Sequence, residues 1–134
     1  MLDARLRQEL VIRTEDRVGL LAEICRLLGQ MGINLLSLRV IIDEGITTVR
    51  LVTTSQSYAL DALRDAGFTV EERDIVVVEI PHRPGFFCRI GEALARKDIS
   101  IESLHMTVAE NGSAGVVVFT CSDNGRAVQM LRGN

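Results

Sequence analysis

An α+β fold is expected of this chain: two tandem copies of a strand–helix–strand–strand–helix–strand sandwich, with the helices on one face of each antiparallel sheet. Three observations support it. Short runs of β-formers alternate with apolar stripes at three- and four-residue steps. The link Asp16-Arg17-Val18-Gly19-Leu20, between the strand ELVIRT and the helix LLAEICRLLGQM, returns as His82-Arg83-Pro84-Gly85-Phe86 behind IVVVEI. Ile33 and Ile99, Ser37 and Ser103, and Leu38 and Leu104 all stand 66 positions apart. Self-similarity at a fixed period marks a duplication.

Taken in order, Met1 to Gln8 fits strand period through Leu2, Ala4 and Leu6, and helix period through Leu2, Leu6 and Leu10. It is read as an extension of the first strand. Glu9 to Thr14 is that strand, with Leu10 and Ile12 on one face. A helix from Val18 to Met31 carries the stripe Leu21, Ile24, Cys25, Leu28 and Met31. Burying each large member is worth about 1.5–3 kcal/mol, so the stripe belongs on a sheet. Gly32 follows, where a helix commonly ends in a left-handed residue. A second strand opens at Ile33-Asn34-Leu35 and runs to about Ile42. Asp43-Glu44-Gly45 turns it into a third strand, Thr47 to Thr54. Ser55 is placed to cap a helix over Gln56 to Asp65, Gly67 stops it, and Phe68 to Glu72 is the fourth strand. Helices gathered on one face of such a sheet give a ferredoxin-like split βαβ sandwich.

Only Arg73 and Asp74 precede the second copy. Its elements are a strand from Ile75 to Ile80, a helix from Pro84 to Lys97, a strand from Ile99 to Val108 and a turn at Glu110-Asn111-Gly112. A strand from Gly115 to Cys121 and a helix capped by Asp123 complete it. The modules are thus expected over 1–73 and 74–134. The second lacks a counterpart of Phe68–Glu72, its last strand. An uncovered strand edge leaves a row of backbone groups unpaired. The position is expected to be filled by the Met1–Gln8 arm, by a strand from another protomer, or by residues beyond this sequence.

Composition narrows the function. A net charge of −3 opposes an electrostatic nucleic-acid binder. Hydrophobic residues make up 47% of the chain, enough for a packed core, and aromatics only 4%, so that core is aliphatic. No apolar run approaches a membrane span and no secretory leader opens the chain. Cys25, Cys88 and Cys121 have no CxxC spacing and read as reduced thiols of a cytoplasmic protein. Neither histidine has the neighbours a metal site wants, so no metal or cofactor is expected.

Each half resembles an ACT domain, the small βαββαβ module attached to many enzymes of amino-acid metabolism. RTEDRVGLLAEICRLLGQMGIN carries the resemblance in the first copy and EIPHRPGFFCRIGEALARKDIS in the second. Both show polar, Arg, any residue, Gly and large apolar residues opening a helix, then a turn into Ile plus a polar residue. The resemblance implies amino-acid effectors bound at interfaces between two modules. The first loop and helix start supply one wall, and a polar residue beginning the second strand supplies the other. Carried over, the first ligand site is Asp16, Arg17, Val18, Gly19 and Leu20 with Asn34. The second is His82, Arg83, Pro84, Gly85 and Phe86, with Ser100 in the Asn position. The first copy lacks the usual Pro, and the second lacks the Asn.

Each residue also has a plainer reading. Gly19 and Gly85 either admit a ligand carboxylate to the helix start or serve a tight turn. Asp16 either holds an ammonium group or caps the helix. Asn34 offers donors and acceptors to an amino-acid head, or is a turn residue. Arg17 and Arg83 are solvated or clamp a carboxylate. Pro84 is most simply a first-turn helix proline. His82 brings the side chain whose charge changes nearest neutral pH, and His105 reads as structural.

The expected function is a non-catalytic amino-acid sensor, a homo-oligomer such as a dimer, signalling to a partner enzyme of amino-acid metabolism. The alternative is a pure assembly module. An acyl-phosphate hydrolase on the same scaffold would need a glycine-rich anion cradle, which the first loop lacks. RNA binding would need stacking aromatics on the central strands, where only Phe119 stands.

Overall fold

Alternating apolar and polar residues carry the first strand well back of ELVIRT: β1 runs Asp3–Glu15 without a break. The structure, a computed structural model, describes residues 2–133. Met1 and Asn134, the outermost positions of the expected modules, lie outside the described residues. After β1 come α1 (Leu20–Gln30), β2 (Leu35–Asp43), β3 (Ile46–Thr53), α2 (Gln56–Asp65), β4 (Val70–Pro81), α3 (Phe86–Arg96), β5 (Ile101–Val108), β6 (Ala114–Cys121) and α4 (Asn124–Gly133). The class is α+β, and β1 with β3, β2 with β3, β4 with β6 and β5 with β6 all pair antiparallel.

Two helix starts differ from expectation. Val18 and Pro84 were expected inside their helices, yet α1 begins at Leu20 and α3 at Phe86. The cause is the glycine before each: Gly19 has φ 87° and Gly85 φ 77°, both left-handed and outside the helical region. Leu20 N–H donates to Arg17 O at 3.3 Å and Phe86 N–H to Arg83 O at 3.2 Å. With ψ near zero at each glycine, both links have the signature of a type II turn, whose third position requires φ > 0. Pro84 therefore occupies the second turn position, where its fixed φ suits the turn, and is not the first helical residue.

The chain divides into two units, Gln8–Arg73, and Met1–Arg7 with Asp74–Asn134. In the first, the strand order is β2-β3-β1-β4. Leu10 and Ile12 of β1 face Leu51 and Val49 of β3. These four close a core with Leu20, Ile24 and Leu28 of α1 and Leu60 and Leu63 of α2. Helix α2 has the expected bounds, although Ser55 makes no side-chain cap bond and instead donates its N–H to Thr53 Oγ1 at 3.3 Å. Arg73 and Asp74, expected to separate two strands, lie inside β4. Neither they nor their neighbours supply a Gly or Pro that would break a ladder.

In the second unit the order is β1-β4-β6-β5. The outermost position beside β4 is taken by the start of β1, so the N-terminal arm supplies the strand that the second copy's own sequence lacks. Ala4 is fully buried there, among Val76, Val78, Ile80, Ile90, Leu94, Val117, Phe119 and Leu131. The arm is also tied to α4: Leu2 N–H donates to Leu131 O at 3.4 Å and Arg132 Nε to Ala4 O at 2.7 Å. Asp123 caps α4 as expected, its Oδ1 accepting from Arg126 N–H at 3.0 Å.

Candidate functional site

In the first unit the loop after β1 is pinned from below and open above. Asp16 N–H donates to Gly45 O at 2.8 Å, and Thr47 Oγ1 donates to Asp16 Oδ1 at 2.9 Å. Asp16 thus braces the loop on the β2–β3 turn. It is not the helix cap: that position is Gly19, with no side-chain cap bond. Arg17 pairs with Glu23 in the first turn of α1. Val18 is fully exposed, Leu20 is buried in the core, and nothing lies within 4 Å of where a Cβ on Gly19 would be. The positive φ alone accounts for the glycine, and the space beside it is open.

Asn34 is held by its main chain. Its N–H donates to Thr54 Oγ1 at 3.3 Å and its carbonyl accepts from Thr54 N–H at 3.0 Å. The residue itself is exposed. Strand pairing fixes its place relative to the loop. Glu15 and Asp43 both pair with Ile46, so the end of β1 lies beside the β2–β3 turn. Asn34 precedes the opposite end of β2, whose Leu35 pairs with Thr53. Between them runs α1, 11 residues or about 16 Å of helix. The loop and Asn34 therefore occupy opposite ends of one unit.

The second unit repeats the main-chain contacts and not the side-chain ones. His82 N–H donates to Ser113 O at 3.2 Å, and His82 Nδ1 lies 2.9 Å from Gly112 O, an acceptor that fixes the proton on Nδ1. Ser100 N–H donates to Ser122 Oγ at 3.0 Å, and its carbonyl accepts from Ser122 N–H at 2.9 Å. β2 and β5 carry matching register shifts, at Leu35/Ser37 and Ile101/Ser103. Ser100 and the 82–86 loop again lie at opposite ends.

Several features have no counterpart in the reading from sequence. Arg83 and Arg89 hold their guanidinium carbons 5.2 and 5.5 Å from the Phe86 ring centroid. Beside them a groove of about 730 Å³ is lined by Arg96, Glu92 and an apolar floor that includes Ile90 and Leu131. The spacing of Phe86, Arg89 and Arg96 along one side of α3, with Arg83 in the turn before it, was the available signal. Thr47, the brace for Asp16, and the buried pair Glu9–Arg50 at 2.8 Å lie too far apart in sequence to have been paired. Burial raises the Cys121 thiol above its ordinary pKa, with the Asp123 backbone bond opposing and the Asp123 and Glu102 charges reinforcing the rise. Among the described residues, no three His, Cys, Asp or Glu gather as a metal site would need. No described helix is long and apolar enough to cross a membrane.

With the βαββαβ order and the glycine turn in place, one segment is similar to a known family: the model of the ACT domain matches residues 9–60. That segment's turn, α1 and the start of β2 are the elements just described. No curated protein matches the chain. Solved structures match it along nearly its whole length. A protein of Bacteroides thetaiotaomicron, BT0572, has a TM-score of 0.87 at 24% identity over 97% of this chain and 89% of that one. The ligand-free regulatory subunit of aspartate kinase from Thermus thermophilus has a TM-score of 0.69 at 19% identity, covering 99% and 94%. The corresponding subunit from Thermus flavus has a TM-score of 0.65 at 20% identity, again covering 99% and 94%. At these identities the likeness is one of fold.

Proposed function

We propose that this is a non-catalytic regulatory protein that binds an amino acid between two ACT modules and reports its occupancy to a partner enzyme of amino-acid metabolism. One observation carries the reading: the 16–20 loop and Asn34 lie at opposite ends of the same unit, with an edge strand between them. β2 ends the strand order, and its register puts Leu38, Val40 and Ile42 on the helix side, 38%, 36% and 60% exposed. If β2 pairs antiparallel with β2 of a second copy, Asn34 of one copy meets the Asp43–Gly45 turn of the other. The Asp16 loop is braced on that turn. The site is then Asp16, Arg17, Val18, Gly19 and Leu20 from one chain with Asn34 from its partner.

The chemistry suits an α-amino acid. Free N–H groups at the start of α1 receive a carboxylate, the carboxamide of Asn34 donates and accepts, and Asp16 supplies negative charge near an ammonium. The ACT match over residues 9–60 supports this reading, and the likeness to the aspartate kinase regulatory subunits of the two Thermus species is consistent with it. We read the repeated turn, main-chain clip and bulge as a tandem duplication over 1–73 and 74–134. In that reading His82, Arg83, Pro84, Gly85, Phe86 and Ser100 form the second site, and the protein is a cytoplasmic homodimer.

A thermal-shift screen against the twenty amino acids tests it. One chemical group should raise the melting temperature, and Gly19→Val and Asn34→Ala should each abolish the rise. Ligand at a hundred times its dissociation constant adds about 2.7 kcal/mol. A second reading, assembly without a ligand, is favoured by the loop's own completeness: Gly19 is required by its φ and Arg17 is paired with Glu23. It predicts a dimer with no shift for any amino acid.

A further inference from the structure

We propose that the groove beside α3 is a site for a small phosphorylated organic molecule. It shares Arg83 and Phe86 with the loop read above as a second amino-acid site and assigns them a different ligand class; the first site, at Asp16–Leu20 and Asn34, is untouched by it. All of the groove's lining belongs to the second unit. Three guanidiniums, Arg83, Arg89 and Arg96, border it against one carboxylate, Glu92. The local excess of two positive charges stands out in a chain whose net charge is −3.

None of the three arginines has a salt bridge among the described residues. Arg83 and Arg89 are placed instead over the Phe86 ring, 5.2 and 5.5 Å from its centroid. Stacking on an aromatic face leaves the edge of a guanidinium, with its N–H groups, free to donate. Forked donors held in place in this way match phosphate oxygens, which arginine takes in pairs. A phosphate monoester carries about −1.5 to −2 charges near neutral pH, matching the excess. A zwitterionic amino acid carries none, and its ammonium would meet three like charges.

The floor gives the ligand its other half. Leu2, Ile90, Ala93 and Leu131 are apolar, and the groove's volume of about 730 Å³ leaves room for an organic body beyond the phosphate. The first unit has a smaller groove, about 400 Å³, between α1 and α2. It carries Asp61 and Asp65 and no basic residue, so the same ligand is repelled there.

Phenyl phosphate is a suitable probe, titrated by calorimetry and by amide chemical-shift mapping on the intact chain. Saturable binding is expected, with shifts centred on Phe86, Arg89, Ala93 and Arg96, tighter than inorganic phosphate and weakened by added salt. Arg89→Gln and Arg96→Gln, at exposed positions, should each weaken it by about tenfold. Arg126→Gln serves as a control: Arg126 bonds the Lys97 carbonyl at 3.3 Å and lies outside the lining. It should leave binding unchanged. Phenylalanine should leave the groove amides unmoved. Three results would overturn the proposal: no saturable binding at millimolar phenyl phosphate, shifts centred elsewhere, or equal affinity in the two arginine variants and the parent. Failure of the amino-acid screen alone would leave it standing.

Discussion

Replacing Glu9 by Ala removes the carboxylate that pairs with the Arg50 guanidinium, which is 15% exposed and 2.8 Å from Glu9. A buried charge left unpaired costs about 3–5 kcal/mol, and chemical denaturation of Glu9→Ala should show a loss of that order. Glu9→Leu with Arg50→Met should recover most of it, because exchanging a buried pair for apolar groups is often neutral. Gly115 is a steric case. A Cβ there would lie 2.4 Å from Val108 Cγ2 and 3.3 Å from Thr107 O, so Gly115→Ala should destabilise by about 1–3 kcal/mol. Cys121 gives a pH dependence. Its folded thiol pKa is raised, mainly by burial, so the protonated thiol belongs to the folded state. Its contribution is fully present below the unfolded thiol pKa and is lost as pH rises through the folded one. Melting curves taken at increasing alkaline pH should fall less steeply for Cys121→Ala than for the parent. Thiol labelling of the native protein should reach exposed Cys88 first and buried Cys121 last.

At the scale of elements, the arm is the sharpest case. Asp3–Arg7 completes the sheet of the second unit through buried Ala4 and the Arg132–Ala4 bond. Deleting residues 2–7 should lower the unfolding midpoint and expose the edge of β4 to aggregation, as light scattering would show. Ala4→Asp should do the same by burying a charge. The arm was legible as a strand because Leu2, Ala4 and Leu6 alternate with charges, and the missing last strand called for it. The helices were legible from their stripes, although α1 buries Leu20, Ile24 and Leu28 and leaves Leu21 and Met31 of the expected stripe exposed; α2 and the Asp123 cap fall where local chemistry puts them. The starts of α1 and α3 were not, since a glycine before an apolar stripe reads equally as first turn or as left-handed stop. β4 was read as two strands because a duplication suggests a seam at Arg73-Asp74, while ladder geometry runs through it. Of the candidate site, the loop could be singled out from its recurrence, and Asn34 from the resemblance to the ACT family. Their separation by the length of α1 becomes apparent only once the strands are paired. The arginine groove escaped because it depends on Phe86 organising side chains from a loop and a helix.

For the whole molecule, the central claim is that a ligand site takes its loop from one chain and its Asn34 from another. Light scattering should report a dimer in the parent, and Val40→Lys with Ile42→Lys, at exposed positions on the helix side of β2, should shift it toward monomer. The claim is tested most directly by calorimetry on mixed chains, using the amino acid that most stabilises the parent. Gly19→Val and Asn34→Ala homodimers should each fail to bind at the first-module site, since every such site in them carries one broken wall. A pair mixed from the two variants carries one site with both walls broken and one with both intact. The account predicts that mixing restores binding, at fewer sites per chain than in the parent. Two inactive variants that stay inactive when mixed as verified heterodimers would contradict it, and would place the loop and Asn34 in separate roles.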